Sequence, residues 1–278
     1  MKPEVIDVVC ETMRCIGNSS SVHAEGRRAR ALVEDARETI REFFNAPVNG
    51  VIFTSGGTES IHYALNGAVR AGLARRIFVS AIEHAAAPAN AALAGVPVET
   101  IPATPAGTVD LDWLSARLDR HDEARDGGFI AAIMLANNET GVIQPVAEAS
   151  AIIHAKGGIL FVDAAQGAGK IPVNFVMSGA DMMAITAHKF GGPVGVGALL
   201  VGPNLALEPQ LRGGGHEHNR RAGTHNIPAI CGLAKACELA RDHEIAAPRL
   251  AAMRGRLQQA AADAGAVIWG ASAARLPG

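Results

Sequence analysis

The stretch Thr186-Ala187-His188-Lys189-Phe190-Gly191-Gly192 stands between two apolar runs, Met182 to Ile185 and Val194 to Val201. The link between the runs is too short for a helical crossover, so we predict two neighbouring antiparallel strands joined by a polar loop. Lys189 lies in that loop with little charge nearby, a setting that suits an amine that attacks a carbonyl group. The alternative is a lysine whose stem is buried while its ammonium group reaches water.

Strand-like and helix-like segments alternate outward from this stretch. Short apolar segments predict strands at 51–53, 76–79, 96–101, 129–135, 159–162, 182–186 and 196–201, with one more at 266–269. Helical spacing or composition predicts helices at 3–16, 24–44, 58–70, 88–93, 111–118 and 146–155, and two more from about Pro228 and Pro248. The alternation predicts a three-layer α/β fold in which helices cover both faces of a mostly parallel, doubly wound sheet.

Length, charge and cysteine content limit the class of protein. The 278 residues are enough for one large core. The 25 Lys and Arg against 27 Asp and Glu give a net charge of -2, which argues against nucleic acid or an anionic membrane as the main partner. Four cysteines without a C-x-x-C pair are typical of a reduced, cytoplasmic protein.

Polar groups follow five of the predicted strands. They are Thr54 to Ser60, Glu83-His84, Asn137 to Gly141, Asp163 to Gln166, and His188-Lys189. Because the carboxyl ends of parallel strands meet at one edge of the sheet, and ligands bind there, we expect these groups to surround one site.

The residue types at this edge suggest separate binding tasks. Gly56-Gly57-Thr58 opens a helix, whose free N–H groups would hold a phosphate unless it is an ordinary capped helix start. Its spacing is neither a P-loop nor G-x-G-x-x-G. Asp163 ends an apolar strand, so its carboxylate requires a positive partner. A protonated pyridine nitrogen would serve, as would a buried arginine, and an N-cap role is the remaining alternative.

Further side chains fit the same picture. His84 could stack on a planar ring, and Asn138 and Gln166 could hydrogen-bond a ring oxygen, although each alone is more often an ordinary loop residue. A lysine amine, a carboxylate and an anion cradle are together what pyridoxal 5′-phosphate (PLP) requires. His216-Glu217-His218 could suggest a metal, but nothing nearby supplies a third ligand. We therefore expect no metal there and a structural or substrate-facing loop.

In their order along the chain, these segments resemble the cysteine desulfurases of the NifS/IscS type, which belong to the class V aminotransferases and have PLP fold type I. The family usually has proline at the position of Ser19. The matching segments are Gly17 to His23, Phe53 to Ser60, Glu83-His84, Ala136 to Val142, Val162 to Gln166, His188-Lys189, Gly213 to Glu217, and Arg221 to Thr224.

The resemblance implies roles around the ring of the cofactor. Lys189 would hold PLP covalently and move protons, and His84 would stack on the ring and assist proton transfer. Asp163 would hold the proton of the ring nitrogen. Gln166 and Asn138 would face the phenolic oxygen of the ring.

The resemblance also implies a phosphate site that two subunits share. The Gly57 amide, Thr58, His188 and Thr186 would bind the phosphate, and the family has serine at the position of Thr186. Thr224 matches the residue that reaches the phosphate of the neighbouring subunit, so the resemblance implies a homodimer.

The activity that the resemblance implies is the conversion of L-cysteine to L-alanine. The sulfur would be held as an enzyme persulfide and passed to an acceptor protein, such as a scaffold for iron–sulfur clusters. Family members open with a further strand and loop. Their nucleophilic cysteine and substrate-binding arginine lie farther along than the 89 residues that follow Lys189, since 278 − 189 = 89.

We therefore expect a fragment that binds PLP weakly and does not desulfurate cysteine. Its expected parts are an N-terminal helical segment (1–16), a large PLP-binding α/β domain (17–240), and the start of an incomplete small C-terminal α/β domain (241–278). The alternatives are a selenocysteine lyase or aminotransferase on the same scaffold, and a non-catalytic scaffold protein.

Overall fold

Seven strands form one sheet in the computed structural model, which describes residues 1–15 and 17–278. The strands are β1 (Val51–Thr54), β2 (Arg76–Ser80), β3 (Val98–Ile101), β4 (Phe129–Met134), β5 (Ile159–Asp163), β6 (Met182–Thr186) and β7 (Gly197–Val201). Their order across the sheet is β1-β7-β6-β5-β4-β2-β3. Strand β7 is antiparallel to both β1 and β6, and the other pairs are parallel. The predicted antiparallel strand after the lysine loop is thus confirmed.

Helices cover both faces of the sheet. They are α1 (Pro3–Met13), α2 (Ala24–Phe44), α3 (Gly57–Arg70), α4 (Ala86–Leu93), α5 (Leu111–Leu118), α6 (Glu123–Asp126), α7 (Val146–His154), α8 (Phe175–Ser178) and α9 (Ile227–Asp263). Alternate residues of a strand point to opposite faces, and accordingly Ala131 and Ile133 join one buried cluster while Ile130 and Ala132 join the other. This arrangement confirms the predicted three layers. No helix in the described part is long and apolar enough to cross a membrane.

The C-terminal region differs from the sequence prediction. The two helices expected from Pro228 and Pro248 are one continuous helix, α9, with Pro248 inside it. Proline usually ends a helix because it lacks the N–H group and crowds the preceding turn, so the break was the natural prediction. Helices α1 and α2 pack against α9.

The prediction of a strand at 266–269 is wrong. Residues 266–269 are turn and irregular chain, and the nearest ladder contact is a single bridge between Val142 and Arg275. A short apolar run becomes a strand only where a neighbour completes its hydrogen bonds, and within the described residues no strand lies beside this one.

The first helix is shorter than predicted and the second has the predicted bounds. Helix α1 ends at Met13 instead of residue 16, and Ile16 lies outside the described residues. Helix α2 begins where the ring of His23 accepts a hydrogen bond from Gly26 N, and it ends at Asn45, whose φ of 50° is left-handed. Both ends of α2 therefore carry the local signals that helix boundaries require.

Candidate active site

A pocket of about 330 Å³ opens at the carboxyl edge of the sheet, beside the start of α3. All the predicted site residues except Thr224 lie around it. Its lining consists of Gly57, Thr58, Ile61, His84, Met134, Asn138, Asp163, Ala165, Gln166, Thr186, His188 and Lys189. The structure therefore brings together residues from five separate segments of the chain.

Lys189 lies on a short 3-10 helix, Ala187–Phe190, that follows β6 directly. The helix ends at Gly191, whose φ of 91° favours glycine, so the chain reverses there into β7. The Lys189 side chain is exposed to the pocket. Burial and the neighbouring charge of Lys189 both lower the pKa of His188, so this imidazole is neutral at pH 7. Its Nδ1 lies 3.0 Å from the Thr186 hydroxyl.

Asp163 is the last residue of β5 and only 5% exposed. One of its oxygens accepts a hydrogen bond of 2.9 Å from Ala165 N. Burial raises the pKa of this carboxyl, while the Ala165 amide and the nearby His84 and Lys189 act in the opposite direction. A cationic ring nitrogen in the pocket would stabilise the ionised form further.

Glu83, one of the polar groups expected at this edge of the sheet, is a second acid whose carboxyl is buried, and sequence reasoning missed this burial. One oxygen accepts a hydrogen bond from Met134 N, and the other, Oε2, is buried and has no partner among the described residues. Burial and then the negative charge of Asp163 raise the pKa of Glu83 well above its usual range. Burial therefore favours the neutral form of Glu83, and repulsion from Asp163 adds to this. The sequence offered no signal for this, since an acid beside a loop histidine looks solvated.

The start of α3 has the geometry of the expected anion-binding site. Its N-cap is Gly56, with a φ of 150°, and no side chain caps the helix. A Cβ atom added to Gly57 would meet nothing within 4 Å, so this end of the helix faces open space. A second pocket of about 270 Å³ lies beside this helix start and is lined in part by Thr58, Thr186 and His188. Exposed helix N–H groups and a positive helix end favour an anion in this second pocket.

An ordinary capped helix start was the alternative, and only the hydrogen bond from Ser55 N to Glu59 resembles one. Glu59 accepts a hydrogen bond of 2.7 Å from Ser55 N, which lies before the helix, and pairs with Arg221 at 2.8 Å. The acid therefore stabilises the approach to the helix without filling the cradle.

Asn138, Gln166 and His84, which were expected to contact the ring of a cofactor, form hydrogen bonds with other parts of the protein. The Asn138 amide donates to the Glu139 carboxylate at 2.7 Å, and the Gln166 oxygen accepts from Lys170 Nζ at 2.7 Å. Nδ1 of His84 accepts from Ala86 N at 3.2 Å. Neutral His84 therefore carries its proton on Nε2. The apolar lining residues Ile61, Met134 and Ala165 were not predicted, because small and apolar residues at strand and helix ends look like core.

Thr224 is exposed and lies outside the pocket, in the loop that precedes α9. Nearby, Glu217 is buried and binds Arg37 through both oxygens at 2.8 Å. It also accepts hydrogen bonds from Phe53 N at 2.8 Å and from the ring of His225 at 2.6 Å. Although burial acts to raise it, these partners lower the pKa of Glu217 to about 2. Glu217 thus has a structural role.

No set of residues suited to a metal ion occurs in the part of the chain that the structure describes. Glu217, His218 and Asn219 all have positive φ, at 49°, 54° and 63°. Non-glycine residues adopt this conformation at an energetic cost, so the buried contacts of Glu217 hold the loop in place.

The comparisons with known proteins agree with one another. The profile of the family described as "Aminotransferase class-V" matches residues 1–264. The "IscS-like cysteine desulfurase" of Mycobacterium tuberculosis is 37% identical over 92% of this chain and 67% of its own length. The "Cysteine desulfurase IscS 1" of Archaeoglobus fulgidus is 40% identical over 87% of this chain and 63% of its own length. The chain thus spans about two thirds or less of these relatives.

The solved structures give the same likeness in three dimensions. The NifS-like protein of Rickettsia africae superposes with a TM-score of 0.92 at 30% identity, covering 100% of this chain and 76% of that one.

Proposed function

Because this chain belongs to the class-V aminotransferase family, we propose that it forms the PLP-binding core of a cysteine desulfurase. One observation carries the proposal: a lysine amine, a buried acid and an uncapped helix start face the same pocket. The similarity to proteins named cysteine desulfurases favours a desulfurase over a selenocysteine lyase or an aminotransferase. A non-catalytic scaffold would not need this combination of groups.

The residues present fit PLP. The cradle at Gly57, Thr58, Thr186 and His188 would hold the phosphate, with His188 as a neutral hydrogen-bonding group. Asp163 would hold the proton of the ring nitrogen, because a buried carboxylate gains most from a cationic partner. When bound, PLP supplies an electron sink for bond cleavage next to the substrate amine.

The chain's own groups would move protons at this site. Lys189 is exposed to the pocket and can bind the cofactor aldehyde and then accept or donate a proton. His84 presents its Nε2–H at the pocket, because its other nitrogen accepts from Ala86. We propose that His84 covers the ring and passes protons, and that Asn138 and Gln166 bind the phenolic oxygen.

For the whole protein we propose L-cysteine as the substrate and L-alanine as the product. The sulfur would leave as a persulfide and pass to an acceptor such as an iron–sulfur scaffold protein, in the cytoplasm. Thr224 would complete the phosphate site of a second copy in a homodimer, which its exposure allows. The division at residues 16 and 240 remains part of this proposal.

Addition of PLP to the purified chain tests the cofactor site. We expect a visible absorption band in the wild type that is absent in Lys189→Ala. Lys156→Ala is the matched control, because Lys156 is exposed and lies outside the pocket. A colourless wild type, or an equal band in Lys189→Ala, would contradict the proposal.

The cysteines give a separate prediction. Of the residues that the structure describes, none that lines the pocket is a cysteine, and Cys231 and Cys237 are buried. Burial raises the pKa of Cys231 to about 11, so its thiolate is scarce at pH 7. With PLP and L-cysteine, we expect no added sulfur on any cysteine of this chain by mass spectrometry. Persulfide on one of them would show that the pocket admits a thiol from outside its lining.

A further inference from the structure

The turn that follows β5 carries two polar side chains that contact each other. Ala168 N bonds to Ala164 O at 2.9 Å and Lys170 N bonds to Gly167 O at 3.0 Å, so the turn is helical in form. Residues four apart lie on one side of such a turn. Accordingly, Lys170 Nζ lies 2.7 Å from Oε1 of Gln166.

This contact decides the orientation of the Gln166 amide. An ammonium group has only donors, so the atom that faces Lys170 must be the amide oxygen. The nitrogen of the same amide then points away from Lys170, and Gln166 lines the pocket. The amide nitrogen is therefore the group of Gln166 left free to bind a ligand in the pocket, as a hydrogen-bond donor.

The turn is held closely against the segment that carries Lys189. Gly169 has a φ of 69°, and a Cβ atom there would lie 2.5 Å from Cβ of Phe190. Gly167 packs as closely on Leu135, where an added Cβ would lie 2.5 Å from a side-chain carbon. The backbone of the turn that carries Lys170 is thus held in place, and Lys170 itself is half-buried. It does not line the pocket itself.

The charge of Lys170 also reaches the site. Its Nζ lies 2.7 Å from Gln166, which lines the pocket, and burial and then the positive charge of Lys189 lower its pKa. A positive charge at this position favours an anionic group in the neighbouring pocket.

We propose that Lys170 is a positioning residue of the cofactor site, which orients Gln166 as a donor toward an anionic phenolic oxygen and places a positive charge on that side of the pocket. This inference rests on the proposed function, because it assigns a task toward bound PLP. It makes Gln166 selective for a deprotonated oxygen, which a free amide would not be. It also gives a reason for a lysine at a half-buried position with no carboxylate partner among the described residues.

A pH titration of the visible band of the PLP-loaded protein tests the inference. Lys170→Met removes the charge and the donor while keeping the length of the side chain. We expect the midpoint of the titration to rise by about one pH unit, because a nearby positive charge and an oriented donor no longer stabilise the deprotonated phenolic oxygen. Lys170→Arg keeps the charge and should move the midpoint less. Lys156→Met, far from the pocket, should leave it unchanged.

A double variant separates orientation from charge. If Lys170 acts through Gln166, Gln166→Ala should shift the midpoint in the wild type but by less in the Lys170→Met background. Equal shifts in both backgrounds would show that Lys170 does not orient Gln166.

The outcomes distinguish this inference from the proposed function. A colourless wild type overturns both. A coloured wild type whose midpoint is the same in Lys170→Met overturns the inference alone, and a fall only in thermal stability would then identify Lys170 as a packing residue. If Lys170→Met does not fold, Lys170→Gln, which keeps a donor, should still raise the midpoint.

Discussion

Single residues at this site act through burial as much as through contacts, and Glu83 shows this most directly. Its Oε2 is buried without a partner, and its pKa is raised well above its usual range by burial and by Asp163. A raised pKa means that the folded state binds more protons than the unfolded state above the ordinary glutamate pKa. Stability is therefore lost as pH rises from about 4.5 toward the folded pKa of Glu83.

We expect Glu83→Gln to gain about 1–3 kcal/mol of stability relative to the wild type between pH 5 and pH 8, since the amide has no proton to lose in the unfolded state. At pH 5, where Glu83 is protonated in the folded state, the two proteins should agree to within about 1 kcal/mol. Urea unfolding at both pH values measures the difference. The exposed Glu11→Gln is the control and should show no such pH dependence. An unchanged difference in stability between pH 5 and pH 8 would show that the folded state does not favour the neutral form of Glu83.

At the scale of elements, two glycines illustrate when glycine is required. Gly169 has a positive φ and lies against Phe190, whereas Gly255 lies inside α9 with nothing within 4 Å of an added Cβ. We expect Gly169→Ala to destabilise by about 1–3 kcal/mol, because the new methyl forces packing to shift. Gly255→Ala should stabilise by about 0.5–1 kcal/mol, because alanine is the better helix former. Thermal unfolding of the pair measures both signs.

The same pair also tests how the site is built. Because Gly169 joins the turn of Lys170 to the segment of Lys189, Gly169→Ala should weaken PLP binding, while Gly255→Ala should not. Unchanged PLP affinity in Gly169→Ala would mean that the two segments are positioned independently.

At the scale of the whole molecule, the buried pair of Glu217 and Arg37 connects distant parts of the chain. It links α2 to the loop before α9, and its hydrogen bonds to Val51 O and Phe53 N add β1. The pKa of Glu217 is lowered to about 2 from 4.5, so its contribution is present above pH 4.5 and is lost as pH falls toward 2. A shift of this size corresponds to about 3 kcal/mol.

We expect Glu217→Gln to lose about 3 kcal/mol at pH 7, because a buried arginine loses its charge partner. The difference from the wild type should shrink as pH falls from 4.5 toward 2, where Glu217 itself becomes protonated. Denaturant unfolding at pH 7, 4.5 and 3 follows this change. Glu34→Gln is the matched control: Glu34 also contacts Arg37, at 3.0 Å, but its side chain is 52% exposed. The stability lost in Glu34→Gln should stay below about 1 kcal/mol.

Sequence reasoning reached most of the fold through local signals. The ranges of α2, α5 and β6 were predicted with their bounds, because caps, periodicity and apolar runs are local properties. The continuous helix α9 was not predicted, because its packing on α1 and α2 supports a helix through Pro248. The absence of a strand at 266–269 was not predicted either, because a strand depends on its neighbours. Such effects come from parts of the chain far away in sequence.

What the sequence by itself determined was the alternation of strands and helices, the antiparallel return after Lys189, and the set of polar groups at strand ends. Only the tertiary structure decided that the Glu83 carboxyl is buried beside Asp163, that the Gln166 oxygen faces Lys170, and which loop Glu217 holds. The physical reason is that pattern and turn chemistry act between neighbours in the chain, whereas burial, charge and hydrogen-bond partners exist only once distant segments have packed together.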